Sequence, residues 1–310
     1  MWDIAVDART TRQAFQGFGT SLAWWANVVG VLPAAIRDRI LDLIFSREKG
    51  LGFQVLRYNI GGSGWATPDA PNLRPGGNIP SYLAPDAKTY DWAQDAGQRA
   101  VLLGARDRGA NTFEAFSNSP PYFMTKSGRA SGGPDPKADN LAPANYTAFA
   151  TYLARVVRHF GDEYGLRFTT LDPFNEPSTD YWRAGNVQEG CHFDRSSQWA
   201  FLPALAKALK AAGAGGVALA TSDETNIADA DKSFKAMTPA ALKLVTQVRR
   251  ERRWREKKNG DCFLEPTFLN HTTRTPRLHG PSFFFSSILL SHTLPTPCFP
   301  FLYLFLFPLD

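Results

Sequence analysis

Thr169-Thr170-Leu171-Asp172-Pro173-Phe174-Asn175-Glu176-Pro177 is the stretch whose reading decides the fold. A short apolar run closes in Asn-Glu-Pro, the pattern of a buried strand that delivers a carboxylate into the loop at its C-terminal end. Pro177 stops the strand, and a proline also biases the residue before it toward extended geometry, which predicts Glu176 at the strand's tip. An acid so placed is a candidate proton donor.

Similar units lie on either side of this stretch. Phe15 to Thr20 and Phe53 to Ile60 read as strands, with Trp24 and Trp25 in the loop after the first. Pro33 suits a first helical turn, and Ile36, Ile40, Leu43 and Ile44 form one apolar stripe behind it. Gly61-Gly62-Ser63-Gly64 is a strand exit that lacks both the dinucleotide order and the P-loop lysine. A helix on which Trp92, Ala96, Ala100 and Leu103 share a face completes the second unit. Thr112 to Ser117 is a third strand, followed by a helix with Phe149, Leu153, Val156 and Phe160 at helical spacing. The opening stretch is then strand four, followed by a helix bearing Trp199, Leu202, Leu205, Ala206 and Leu209, and Val217 to Thr221 is strand five. Five successive βα units, with long loops only after the strands, predict a partial (β/α)8 barrel with its site at the strand C-termini. A doubly wound sheet is the alternative.

Composition narrows the partners. The net charge of +5 is concentrated at one end: residues 246 to 310 hold 9 Lys/Arg against 5 Asp/Glu, whereas residues 1 to 245 hold 25 against 24. No basic face with interleaved aromatics marks the main body, so nucleic acid is not an expected partner. Cys191, Cys262 and Cys298 match no metal or redox spacing. Met1-Trp2-Asp3-Ile4 has no basic segment followed by an apolar one, so no secretory signal is expected in the chain as given.

Asn175-Glu176-Pro177, together with Gln16-Gly17-Phe18-Gly19, Leu56-Arg57-Tyr58-Asn59 and Ser117-Asn118-Ser119-Pro120-Pro121, resembles glycoside hydrolase family 30, in particular its fungal endo-β-1,6-galactanase group. The resemblance spans roughly residues 4 to 248, with the motifs in the family's order. It implies a (β/α)8 barrel with a side β-structure, a retaining mechanism, a polysaccharide or oligosaccharide substrate, no metal or other cofactor, no membrane partner, and a secreted monomer. By the same resemblance Glu176 is the acid/base and Asn175 contacts the sugar beside it. Arg57 matches a strand-two arginine near the nucleophile, though a buried ion-pair partner at a barrel end would look the same. Asn118 belongs to the loop after strand three and joins the expected substrate contacts. Trp24, Tyr122 and Trp182 follow strands one, three and four, where aromatic faces could stack on sugar rings or simply fill the core.

A retaining enzyme needs a second carboxylate about 5–5.5 Å from the first, and the family places it on strand seven. No such strand is legible here. Glu224, in Thr221-Ser222-Asp223-Glu224, lies near the mouth and suits sugar binding or loop bracing better than attack. Glu114 begins too deep within strand three, and His192 reads as a loop histidine. Asn145-Tyr146-Thr147 is a glycosylation sequon if the chain is secreted, and equally a helix N-cap. After Val248 the character changes: 23 of the last thirty residues are Phe, Leu, Ser or Pro, all writable with pyrimidine-rich codons. Five prolines between Pro281 and Pro308 argue against a membrane span. The expected organisation is therefore an incomplete catalytic barrel over 1–248 and an unstructured tail over 249–310, translated from an intron, with the nucleophile absent from the chain.

Overall fold

Parallel strands laid side by side in sequence order form the spine of the molecule: β1 (Phe15–Ser21), β2 (Val55–Asn59), β3 (Thr112–Phe116), β4 (Thr170–Asp172), β5 (Ala218–Glu224) and β6 (Val245–Arg250). The structure is a computed structural model that describes residues 15–65, 67–250 and 304–308. Strand order decides between the two architectures expected from the sequence. A doubly wound sheet reverses its direction at a switch point, whereas a barrel adds each strand on the same side of the last. Here the order β6-β5-β4-β3-β2-β1 never reverses, which is the partial (β/α)8 arrangement.

The helices between the strands are α1 (Trp25–Gly30) and α2 (Ala34–Phe45), α3 (Ala96–Arg106), α4 (Tyr146–Tyr164), α5 (Arg195–Ala211), and α6 (Ile227–Lys235) with α7 (Pro239–Leu242). Phe149, Leu153, Val156 and Phe160 of α4 are all fully buried, as their spacing predicts. Two stripes differ from expectation. On α2 the buried pair is Leu41 and Phe45, while Ile36 and Leu43 face outward. On α3, Gln98, Val101, Leu102 and Ala105 are buried, and Trp92 precedes the helix. Apolar residues on these flanks mark two faces of a helix, and only tertiary packing selects which one meets the sheet. Trp25 opens α1 rather than lying in a loop.

Two corrections concern the chain beyond strand five. Val245–Arg250 is a sixth parallel strand, where the sequence shows only five and a boundary at Val248. Leu304–Pro308 forms β7, which pairs antiparallel with β1 in the register Gly19↔Phe305, so this part of the tail is not structureless. Without it β1 would present a row of unpaired backbone groups, and any extended segment can satisfy such an edge. The rest of the tail lies outside the described residues.

Alternation along the strands divides the side chains. From β2, Tyr58 turns toward the helices, its ring centred 5.0 Å from that of Phe160 and 5.8 Å from that of Phe168. Its hydroxyl donates to Asp95, whose Oδ2 also accepts from Gln98 Nε2 at 2.8 Å. Asp95 Oδ1 has no partner, and burial pushes this carboxyl up to about 7. The sign follows by linkage. Between the ordinary 3.8 and about 7 the folded state binds a proton that the unfolded state has released, so this contribution is complete below about 4 and lost as pH rises through 7. Thermal midpoints measured from pH 5 to pH 8 should therefore fall with rising pH. Asp95→Asn should flatten that slope, and an unchanged slope would assign it to other groups.

Candidate active site

Arg57, on the inward side of β2, organises the mouth of the sheet. It is 2% exposed, forms an ion pair with Asp223, donates from Nη2 to Asn175 Oδ1 at 3.3 Å, and lies 3.4 Å over the ring of Phe116. The register Arg57↔Glu114↔Thr170 puts these residues of β2, β3 and β4 in one layer. Expected near the nucleophile or in a buried ion pair, Arg57 lies beside Asn175 and in a buried ion pair with Asp223.

Glu176 follows β4 by four residues and is 3% exposed. Contrary to the extended geometry expected before proline, its φ is +46°, in the left-handed region. The surroundings hold it there. Its N–H donates to the Asp223 carbonyl at 2.9 Å, and its carbonyl accepts from Trp182 Nε1 at 2.9 Å and Thr179 Oγ1 at 2.9 Å. These bonds outweigh the local proline bias and hold the backbone that aims the carboxylate. Its side-chain Oε2 accepts from the Tyr181 hydroxyl.

Two of the expected sugar contacts have other roles. Trp182 is fully buried and packs against Gly190, where a Cβ would meet its ring at 2.0 Å; it braces Glu176 through its indole N–H and offers no open face to a sugar. Trp182→Ala should cost about 3–5 kcal/mol, read as a lower urea midpoint at unchanged m-value, and a loss below 1 kcal/mol would show the ring to be dispensable. Glu224 turns away from the mouth: its Oε1 accepts from Ser178 Oγ and from Ser233 Oγ on α6, both at 2.6 Å. These are bracing contacts. Asn145 donates from Nδ2 to the Met124 carbonyl at 2.6 Å. Trp24 is partly exposed, with the Arg74 guanidinium 4.3 Å over its ring. Tyr122 is partly exposed after β3, and Asn118 is buried with its N–H donating to Asn59 Oδ1 at 3.1 Å.

Sequence reasoning passed over Asp223, Asp172, Tyr181 and Glu189. Leu171↔Leu219 fixes the outward face of β5, and counting by two from Leu219 would send Asp223 toward the helices. The ladder is irregular between Thr221 and Glu224, and parity reverses there: Asp223 meets Arg57 and Glu224 meets α6. Burial pushes Asp223 up to about 6, against the pull of Arg57. Asp172 is raised by burial and then by Asp223; its Oδ1 accepts from the Phe174 N–H at 3.1 Å and its Oδ2 has no partner, which suits a neutral carboxyl. Glu189 accepts from the Gly62 and Ser63 N–H groups at 3.1 and 2.9 Å and from Asn59 Nδ2 at 2.9 Å, pinning the glycine-rich strand exit. Only Tyr181 had a local signal, five residues beyond the acid.

The chain is 32% identical over 266 residues to an endo-β-1,6-galactanase of Hypocrea rufa, covering 79% of this chain and 54% of that one. It is 28% identical over 336 residues to an exo-β-1,6-galactobiohydrolase of Bifidobacterium longum subsp. longum, covering 76% of this chain and 22% of the other. Among solved structures, a conserved exported protein from Bacteroides fragilis superposes with a TM-score of 0.64 at 28% identity, over 71% of this chain and 46% of that one. The chain thus spans about half the length of the first and third of these relatives and about a fifth of the second. The model of O-glycosyl hydrolase family 30 matches residues 1–239, and the chain belongs to that family.

Proposed function

We propose that this chain carries the acid/base half of a retaining glycoside hydrolase acting on β-1,6-linked galactan. The observation that carries this reading is Glu176 at the C-terminal end of β4, held by Tyr181, Thr179 and Trp182 beside Arg57 and Asn175. Glu176 protonates the leaving oxygen while a second carboxylate attacks the anomeric carbon, and then activates the water that releases the glycosyl-enzyme. Asn175 faces the sugar beside it. Support for the substrate comes from the names of the two β-1,6-galactan-directed relatives. Xylan and glucosylceramide-like substrates are the alternatives within the family. The enzyme works outside the cell, as a monomer without a cofactor, and among the described residues no helix is long and apolar enough to cross a membrane.

The nucleophile belongs to a strand seven supplied from outside this chain, whose parallel strands end with β6, and the 310-residue form is inactive. In the described region Asp223 is paired with Arg57, Glu224 is held by two serines, and Asp172 is buried away from solvent. This favours a second reading for the chain by itself, a carbohydrate binder without turnover. Release of reducing sugar from β-1,6-galactan, xylan and a glucosylceramide by a form extended through strand eight tests the substrate. Product of retained anomeric configuration from galactan is expected, and turnover confined to xylan would overturn the assignment.

A further inference from the structure

The loops after β3 and β4 bring together three side chains that the glycosidase chemistry does not use: Asp139, His192 and Asp194, one ligand atom of each lying within 4.8 Å of the others. We propose that they form a structural zinc site that stiffens the loop carrying Glu176. The histidine is the informative member. Its side chain is only 7% exposed, and its Nδ1 lies 2.7 Å from the Thr179 carbonyl oxygen, which can only accept, so Nδ1 carries the proton and donates. In the neutral ring that leaves a lone pair on Nε2, aimed into the cluster and 3.4 Å from Asp194 Oδ1, another lone-pair bearer. A cation between them, whether a proton on Nε2 or a metal ion, satisfies both atoms. A ring nitrogen fixed by a backbone carbonyl, with the other free to coordinate, is also the usual outer-shell arrangement of a metal-bound histidine.

Asp139 supplies the third ligand and is itself held: its Oδ1 accepts from the Asp194 N–H at 2.5 Å and its Oδ2 from Ser197 Oγ. Tetrahedral zinc with bonds of about 2.1 Å needs ligand atoms about 3.4 Å apart, which His192 Nε2 and Asp194 Oδ1 already are, so only the wider separations, within 4.8 Å, have to close on binding. One imidazole and two carboxylates suit zinc, whereas calcium and magnesium prefer oxygen throughout. The consequence reaches the acid through few bonds, because Thr179, which holds His192 through its carbonyl, also donates from its hydroxyl to the Glu176 carbonyl.

The test uses the untagged full chain. Equilibrium dialysis against ZnCl2 with metal analysis should give one zinc per chain and a raised thermal midpoint, with no comparable effect of CaCl2 or MgCl2. Asp194→Asn, at an exposed position, and His192→Gln should each weaken binding at least tenfold while circular dichroism shows the fold intact. If His192→Gln fails to fold, Asp194→Asn decides alone. No zinc uptake would mean that the cluster is an ion pair with a protonated histidine, and uptake that survives Asp194→Asn would place the metal elsewhere; either result overturns the proposal.

Discussion

Glu176→Gln, introduced into a form of the enzyme extended through strand eight, is expected to lower hydrolysis of β-1,6-galactan by about a hundred- to ten-thousandfold, the usual contribution of a positioned general acid. The sugar alkoxide is a poor leaving group and must be protonated as it departs, and Gln keeps the shape of Glu without a transferable proton. An aryl galactoside with an acidic phenol leaves without that help, so its first step should be slowed far less. The comparison of kcat/KM for the two substrates is the check. An equal loss on both would mean that Glu176 positions the sugar and that another group donates the proton. Tyr181 donates to the same carboxylate and Thr179 and Trp182 hold its backbone, so the loss should appear without a change in melting temperature.

Arg57→Ala carries the second large effect, this time on stability. The guanidinium is buried with Asp223, Asn175 and the ring of Phe116, and the Asp223 carboxyl is equally buried. Removing one partner of a buried pair strands the other in a medium that solvates it poorly, a loss of about 3–5 kcal/mol. Part of that should return in Arg57→Ala/Asp223→Asn, where no unpaired charge remains. Urea unfolding of the two single variants and the double variant gives the coupling between them. A loss below about 1 kcal/mol for Arg57→Ala would put the pair in the range of exposed ion pairs and contradict its burial.

The fold was legible in the sequence because the cue for each βα unit is local. β-Branched and aromatic runs mark the strands, amphipathic spacing marks α4 and α5, and long loops follow the strand C-termini. What escaped depends on contacts between distant segments. The buried faces of α2 and α3 were misread because each helix carries apolar residues on two sides, and the sheet selects one. β6 was missed because its Arg249-Arg250 end resembles the charged run after it, and β7 is defined only by the edge of β1 that it meets. In the site, Glu176, Asn175 and Arg57 could be named from short motifs, and the structure brings them together. Choosing between Asp223 and Glu224 required parity along β5, which the irregular ladder reverses. Trp182 could be platform or core on sequence alone, and its full burial makes it core.

In the proposed function this chain holds a proton donor whose partner nucleophile lies outside it. Reducing-sugar release from β-1,6-galactan, measured side by side for the 310-residue chain and the form extended through strand eight, tests it most directly. The account predicts turnover by the extended form and none by the short one, since a developing oxocarbenium ion without a second carboxylate has no covalent route. Robust hydrolysis by the 310-residue chain, abolished by Glu224→Gln or Asp223→Asn, would contradict it and place the nucleophile on β5.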